Sequence, residues 1–117
     1  MKPQKYINKL GLEYFKVLSG ILKKRGMDSQ EYSIELTILA NEYANYEEAQ
    51  IECNKKGAYV VYSSGAQQIA PWVTYKEKSI SNILKLSPKF GLNPKDMEAI
   101  REFIQEEKED KLGNLLN

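Results

Sequence analysis

Eight cations in this chain fall in two sets with the chemistry to meet phosphate. Lys16, Lys23, Lys24 and Arg25 gather toward the end of a first helical segment, preceded by Lys2, Lys5 and Lys9. Lys76, Lys78, Lys85 and Lys89 form a second set on or near a later helix. Lysine and arginine at helical spacing neutralise a phosphate backbone and release its counterions, although a solvated face carries the same residues. Catalytic chemistry has far less to work with. The chain contains no histidine, which removes the commonest general base and metal ligand together. The single cysteine, Cys53, lies on an apolar seam and reads as a packed small hydrophobe. Glu47, Glu48 and Glu52 share one helix, without ligands converging from elsewhere, and read as a solvated acidic face rather than a Mg²⁺ site. There is no Gly-x-x-x-x-Gly-Lys-Ser/Thr loop to cradle a nucleotide. No catalytic residue, cofactor or metal is expected.

The elements that must position these cations follow from periodicity. The chain has 117 residues, enough for one domain with a modest core. Ile7, Leu10, Tyr14, Val17, Leu18 and Ile21 recur at three- and four-residue steps, predicting a helix over about 4–24. Gly11 interrupts the pattern, so the start can instead fall near Leu12. Asp28 with Glu31 predicts an N-cap and capping box for a second, acidic helix. Its seam is Tyr32, Leu36, Leu39, Tyr43, Tyr46, Gln50 and Cys53. It spans about 27 residues, roughly 40 Å at 1.5 Å per residue. Tyr59–Tyr62 and Gln67–Ala70 read as a hairpin turning at Ser63-Ser64-Gly65. Pro71 opens a third helix to about Lys89, with Trp72, Lys76, Ile80, Ile83, Leu84 and Ser87 near one face. Asn93 and Pro94 start a fourth, with Met97, Ile100, Phe103 and Ile104 as its stripe. The expected fold is mainly α: about four helices, a long central helix hairpin, and one β-hairpin between the second and third helices. Residues 1–106 form the domain and 107–117 a charged, flexible tail.

Charge is segregated along these elements. Residues 1–25 carry seven Lys/Arg against Glu13, and residues 26–54 carry seven Asp/Glu with no Lys/Arg. Residues 55–95 carry seven Lys against Glu77, and the remainder is acidic. Such blocks suit phosphate on one side and opposite blocks within or between subunits on the other. No apolar run approaches the roughly 20 residues needed to span a bilayer. The basic N-terminus lacks an apolar core, so no secretory signal is expected. A cytosolic protein with no membrane partner is the expectation.

Three segments in order resemble one family. Leu39-Ala-Asn-Glu-Tyr-Ala-Asn-Tyr-Glu-Glu-Ala49 is similar to its aromatic and alanine-rich central helix. The Gly57 hairpin leads into Ala70-Pro71-Trp72, and Phe90-Gly91-Leu92-Asn93-Pro94 is close to its Gly-Leu-Thr-Pro signature. Together they resemble the small subunits of DNA-packaging terminases from tailed phages and prophages, over roughly residues 12–104. The chain departs from the pattern where relatives often carry an arginine soon after that turn. Here Asp96-Met97-Glu98 follows, and Arg101 comes later.

The resemblance implies a non-enzymatic, ring-forming protein in the bacterial host cytoplasm. Its implied partners are double-stranded DNA, further copies of itself and a large subunit that supplies the ATPase and nuclease. On that reading the two cation sets contact phosphate. Tyr43, Tyr46, Tyr59, Val60, Tyr62 and Trp72 are the expected subunit interface, because Tyr and Trp favour interfaces. A small helix-turn-helix regulator and a protein-only adaptor remain open as alternatives. The acidic second helix would be a poor reader of the major groove.

Overall fold

Asn8 begins the first helix, rather than Gln4 or Leu12. Its side chain accepts from the Gly11 amide, and helix α1 spans Lys9–Lys24. This computed structural model describes residues 1–116, and the side chains of all of these except Phe103 and residues 107–116. Gly11 strengthens the fold where it was expected to weaken the helix. It is buried, and a Cβ there would lie 2.3 Å from Asn41 Oδ1.

The chain before α1 is an extended strap, which the sequence did not suggest. Polar side chains on one face of the second helix hold it. Gln30 Oε1 accepts from the Lys2 amide at 2.8 Å, and Thr37 Oγ1 from the Gln4 amide at 3.0 Å. Asn41 Oδ1 accepts from the Asn8 amide at 3.0 Å, and Ser33 Oγ donates to the Lys2 carbonyl. Ser33 and Thr37 are fully buried because these bonds satisfy them.

The expected capping box at Asp28 does not form. A 3₁₀ turn over Gln30–Tyr32 intervenes, and α2 spans Ser33–Lys56. Helix α2 is the central element, packed by α1 on one side and α3 on the other. Ala40, Ala44 and Ala49 are buried along it, and these small side chains let the flanking helices approach. Gly57 ends α2 with φ 80° and ψ −177°, a region open in practice only to glycine.

Strands β1 (Tyr59–Val61) and β2 (Gln67–Ile69) pair antiparallel, with Tyr59 opposite Ile69 and Val61 opposite Gln67. Helix α3 follows over Pro71–Leu86 and tightens into a 3₁₀ turn, Ser87–Phe90, at Pro88. Gly91 adopts the left-handed conformation, and α4 spans Pro94–Leu116. The architecture is therefore the four helices and single hairpin expected. Most of the segment expected as a tail, 107–116, continues α4, while its side chains, that of Phe103 and residue 117 lie outside what the structure describes.

The stripe expected on α3 is rotated. Ser79, Ile83 and Ser87 are buried against α2, whereas Ile80 and Leu84 face outward. Contact with α2 runs along small side chains, so the bulkier pair is left on the open side. The core gathers at one end of the molecule. Tyr14, Phe15, Leu18 and Leu22 of α1 meet Leu36 and Leu39 of α2, with Phe90, Ile100 and Ile104. Beyond Ala44 only Ala49 is buried on α2, and before Ile83 only Ser79 is buried on α3. The outer halves of these two helices and the hairpin therefore project as an arm from a molecule 56 Å long.

The arm's tip is anchored at Gly57. Trp72 Nε1 donates to the Gly57 carbonyl at 2.7 Å, and Lys56 lies over the Trp72 ring, 5.3 Å from its centre. A Cβ on Gly57 would meet open space, so Gly57→Ala costs only backbone strain, about 1–3 kcal/mol. Thermal unfolding of that variant should show a loss within this range. No loss would mean the hairpin simply re-hinges.

Candidate nucleic-acid interface

Burial of Tyr14, Phe15, Leu18 and Leu22 sets the rotation of α1 and so its outer face. Lys9, Lys16 and Lys23 recur every seven residues along that face, and all three are exposed. Seven residues at a 1.5 Å rise separate successive lysines by roughly 10.5 Å. Gly20 and Lys24 lie beside this line and are also exposed. Lys9, which in the sequence only precedes the first set, shares this face with Lys16 and Lys23. The heptad spacing is what brings it there.

Arg25 is placed differently from its neighbours. Its guanidinium donates to Asp96 Oδ1 at 2.7 Å and to the Gly91 carbonyl at 3.2 Å. It thereby ties the end of α1 to the start of α4. Asp96 also completes a reciprocal cap, its Oδ2 accepting from the Asn93 amide while its own amide donates to Asn93 Oδ1. The departure from the family pattern at Asp96 thus supplies the partner of Arg25.

The Arg25 hydrogen bond, then the Asn93 amide, hold the Asp96 carboxyl below its ordinary value of 3.8. A lowered folded-state value means the unfolded chain binds the proton more tightly. The stabilisation is present above about pH 3.8 and is lost as pH falls through the lower folded value. Asp96→Asn should therefore flatten the acid limb of a stability–pH curve. An unchanged limb would show that other carboxylates set it.

The remaining cations do not form one patch. Lys89 approaches Glu35 at 3.9 Å, with both side chains exposed, and Lys85 is exposed one turn earlier. These two lie toward the pole where α1 ends and α2 begins. Lys76 and Lys78 sit on the arm, and Lys78 borders a hollow lined by Glu42, Glu48 and Glu52. Glu52 itself pairs with Lys56 at 2.8 Å. Among the described residues, no group of three or more His, Cys, Asp or Glu is placed to hold a metal. Cys53 is half-buried.

The aromatic residues divide in the same way. Tyr43 stacks on Tyr14 within the chain, rings 5.3 Å apart and 15° from parallel. Burial pushes both hydroxyls up, Tyr14 further raised by the nearby Glu47 and Tyr43. The Tyr43 hydroxyl is buried beside that of Ser87. Tyr46 packs against the core, and Trp72 is held by Gly57. Val60 is half-buried on the inner face of the hairpin. Tyr59 and Tyr62 are exposed, as are Ile80 and Leu84 of the expected α3 stripe and Val61 and Ile69, which the sequence did not single out. Strand alternation alone would have placed Val61 beside Tyr59.

α2 carries no Lys or Arg between Ser33 and Asn54 and is covered on two sides by α1 and α3. A helix so placed is poorly suited to enter a DNA groove. Among the described residues, no helix is long and apolar enough to cross a membrane.

A mainly helical domain with a lysine-faced first helix and a projecting helical arm is the class defined so far. Residues 11–107 match the profile of the family described as phage terminase, small subunit. That match spans most of the chain, and the chain belongs to this family. No curated protein and no solved structure matches it. Phage DNA packaging is the role the family suggests, in which it is generally the non-catalytic subunit.

Proposed function

We propose that this chain is the DNA-binding, oligomeric small subunit of a phage packaging machine. It acts in the cytoplasm of the bacterial host and regulates a large subunit that carries the ATPase and nuclease. The family match over residues 11–107 carries the reading. The α1 face supports it. Lys9, Lys16 and Lys23, with Lys24 alongside, offer a line of cations to successive phosphates of double-stranded DNA. Arg25 holds that helix end in place rather than reaching for phosphate. Lys85 and Lys89 extend the contact at the same pole, and Lys76 and Lys78 form a secondary site on the arm. Self-association falls to the arm, where Tyr59 and Tyr62 are exposed. Val60 and Trp72 support that surface from within, and Tyr46 packs against the core.

Light scattering after size exclusion, with and without a double-stranded DNA fragment, tests the proposal. A closed assembly of many copies that takes up DNA is the expected result. A stable monomer or dimer in both conditions, with no DNA affinity at low salt, would sink it in favour of a protein-only adaptor.

A further inference from the structure

The arm's tip is unusual for a chain that is 28% charged. From Gly57 to Tyr75 no residue is charged. Antiparallel register puts Tyr59, Val61 and Ile69 on one face of the hairpin, at 60%, 63% and 62% exposure. A two-stranded hairpin with an open apolar face is marginal in water, and contiguous exposed apolar surface marks an interaction site.

The same chain holds an apolar recess elsewhere. α4 turns away from α3 at Gly91 and lies against α1. Between α3 and α4 opens a cleft of ≈ 590 Å³, floored by Tyr46, Ile80, Ile83, Leu84, Met97 and Ile100. Leu84 is 61% exposed at its edge. The charged lining of the cleft is Glu47 of α2 with Glu98 and Arg101 of α4, and Glu102 lies one turn on from Glu98, exposed. The base of the hairpin carries Lys55 and Lys76. An apolar tip with a basic base thus matches an apolar cleft whose rim, three glutamates against Arg101, is acidic on balance.

Resting on the oligomeric reading above, we propose that the outward face of one copy's hairpin seats in the α3–α4 cleft of the next copy. The tip cannot fill its own cleft. Ile51 at the cleft and Tyr59 on the hairpin are joined by the continuous end of α2 and the fixed Gly57 hinge. The contact uses two different surfaces, so it is head-to-tail and propagates from copy to copy until it closes. Lys55 and Lys76 then lie over Glu98 and Glu102 of the receiving copy.

The test uses the full chain carrying Cys53→Ala, with Val61→Cys and Leu84→Cys introduced singly and together. Oxidation of the double variant should give a covalent ladder beyond dimer on a denaturing gel, and neither single variant should do so. A fully assembled double variant that does not cross-link would overturn the seating while leaving the oligomeric reading intact. A ladder that stops at dimer, or a Val61→Cys variant that links to itself, would overturn it in favour of tip-to-tip pairing. A double variant that is monomeric before oxidation, when the Cys53→Ala parent assembles, would support the seating. A parent that is itself monomeric removes the oligomeric reading and the seating with it. As a second measurement, Leu84→Glu should keep the parent's circular dichroism, because the side chain is exposed, and should lose the assembly at the parent's working concentration. Full assembly of Leu84→Glu would overturn the seating.

Discussion

Exchange of Lys9, Lys16 and Lys23 for glutamine together should cut the salt dependence of DNA binding by about 2.7 in the log–log slope. Each phosphate contact contributes roughly 0.9 on duplex DNA, and three are removed. The loss should be uniform across DNA sequences, since these side chains meet the backbone and not base edges. Fluorescence anisotropy over a NaCl series reads both the affinity and the slope. An unchanged slope would move the phosphate face off α1 and onto Lys76, Lys78, Lys85 and Lys89. Arg25→Gln is the informative contrast. It breaks the bonds to Gly91 and Asp96, so its main effect should fall on stability and not on the salt slope.

Truncation of Phe90 to alanine should be the most damaging single change to the fold. The ring is 1% exposed and meets Tyr32 edge-on, centroids 6.3 Å apart at 71°. It sits where α3 passes into α4 and also touches the start of α2, so its loss opens a cavity at the meeting point of three elements. Phe→Ala changes in cores cost about 3–5 kcal/mol, against a typical total of about 5–15 kcal/mol. Denaturant unfolding should show a lowered midpoint with little change in slope. A loss below about 1 kcal/mol would mean that Tyr32 and Leu92 close over the gap.

Local signals were legible because their causes lie within a few residues. Gly57, the Ser63-Ser64-Gly65 turn, Pro71 and Gly91-Leu92-Asn93-Pro94 each act through their own backbone preferences, and each marks an element boundary. Asn93 caps α4 as its type suggests. Asp28 failed as a cap because the start of α2 answers to a distant partner. Gln30 and Ser33 are committed to the strap, and the chain takes a 3₁₀ turn between Asp28 and the helix. The orientation of α3 was lost for a related reason. Periodicity groups Ile80 and Leu84 with Ile83, and only packing against α2 reveals that Ile83 is buried while the other two stay exposed. Of the cation set, Lys16, Lys23 and Lys24 share α1, but the engagement of Arg25 depends on a residue 71 positions away. No sequence pattern encodes that pairing.

The strap before α1 has a dynamic consequence. Its amides at Lys2, Gln4 and Asn8 donate to side chains of Gln30, Thr37 and Asn41, and belong to no backbone ladder. Met1 and Ile7 rest on the rim of the core, half-buried. The segment up to Ile7 can therefore peel away while the four helices stay packed, since Asn8 keeps its cap bonds to the Gly11 and Leu12 amides. Its amide protons should exchange with solvent through this local opening, at a free-energy cost well below that of global unfolding. The interior amides of α2 should exchange only when the whole domain opens. The molecule would then unfold in two tiers, with the strap ahead of Asn8 as the outer one.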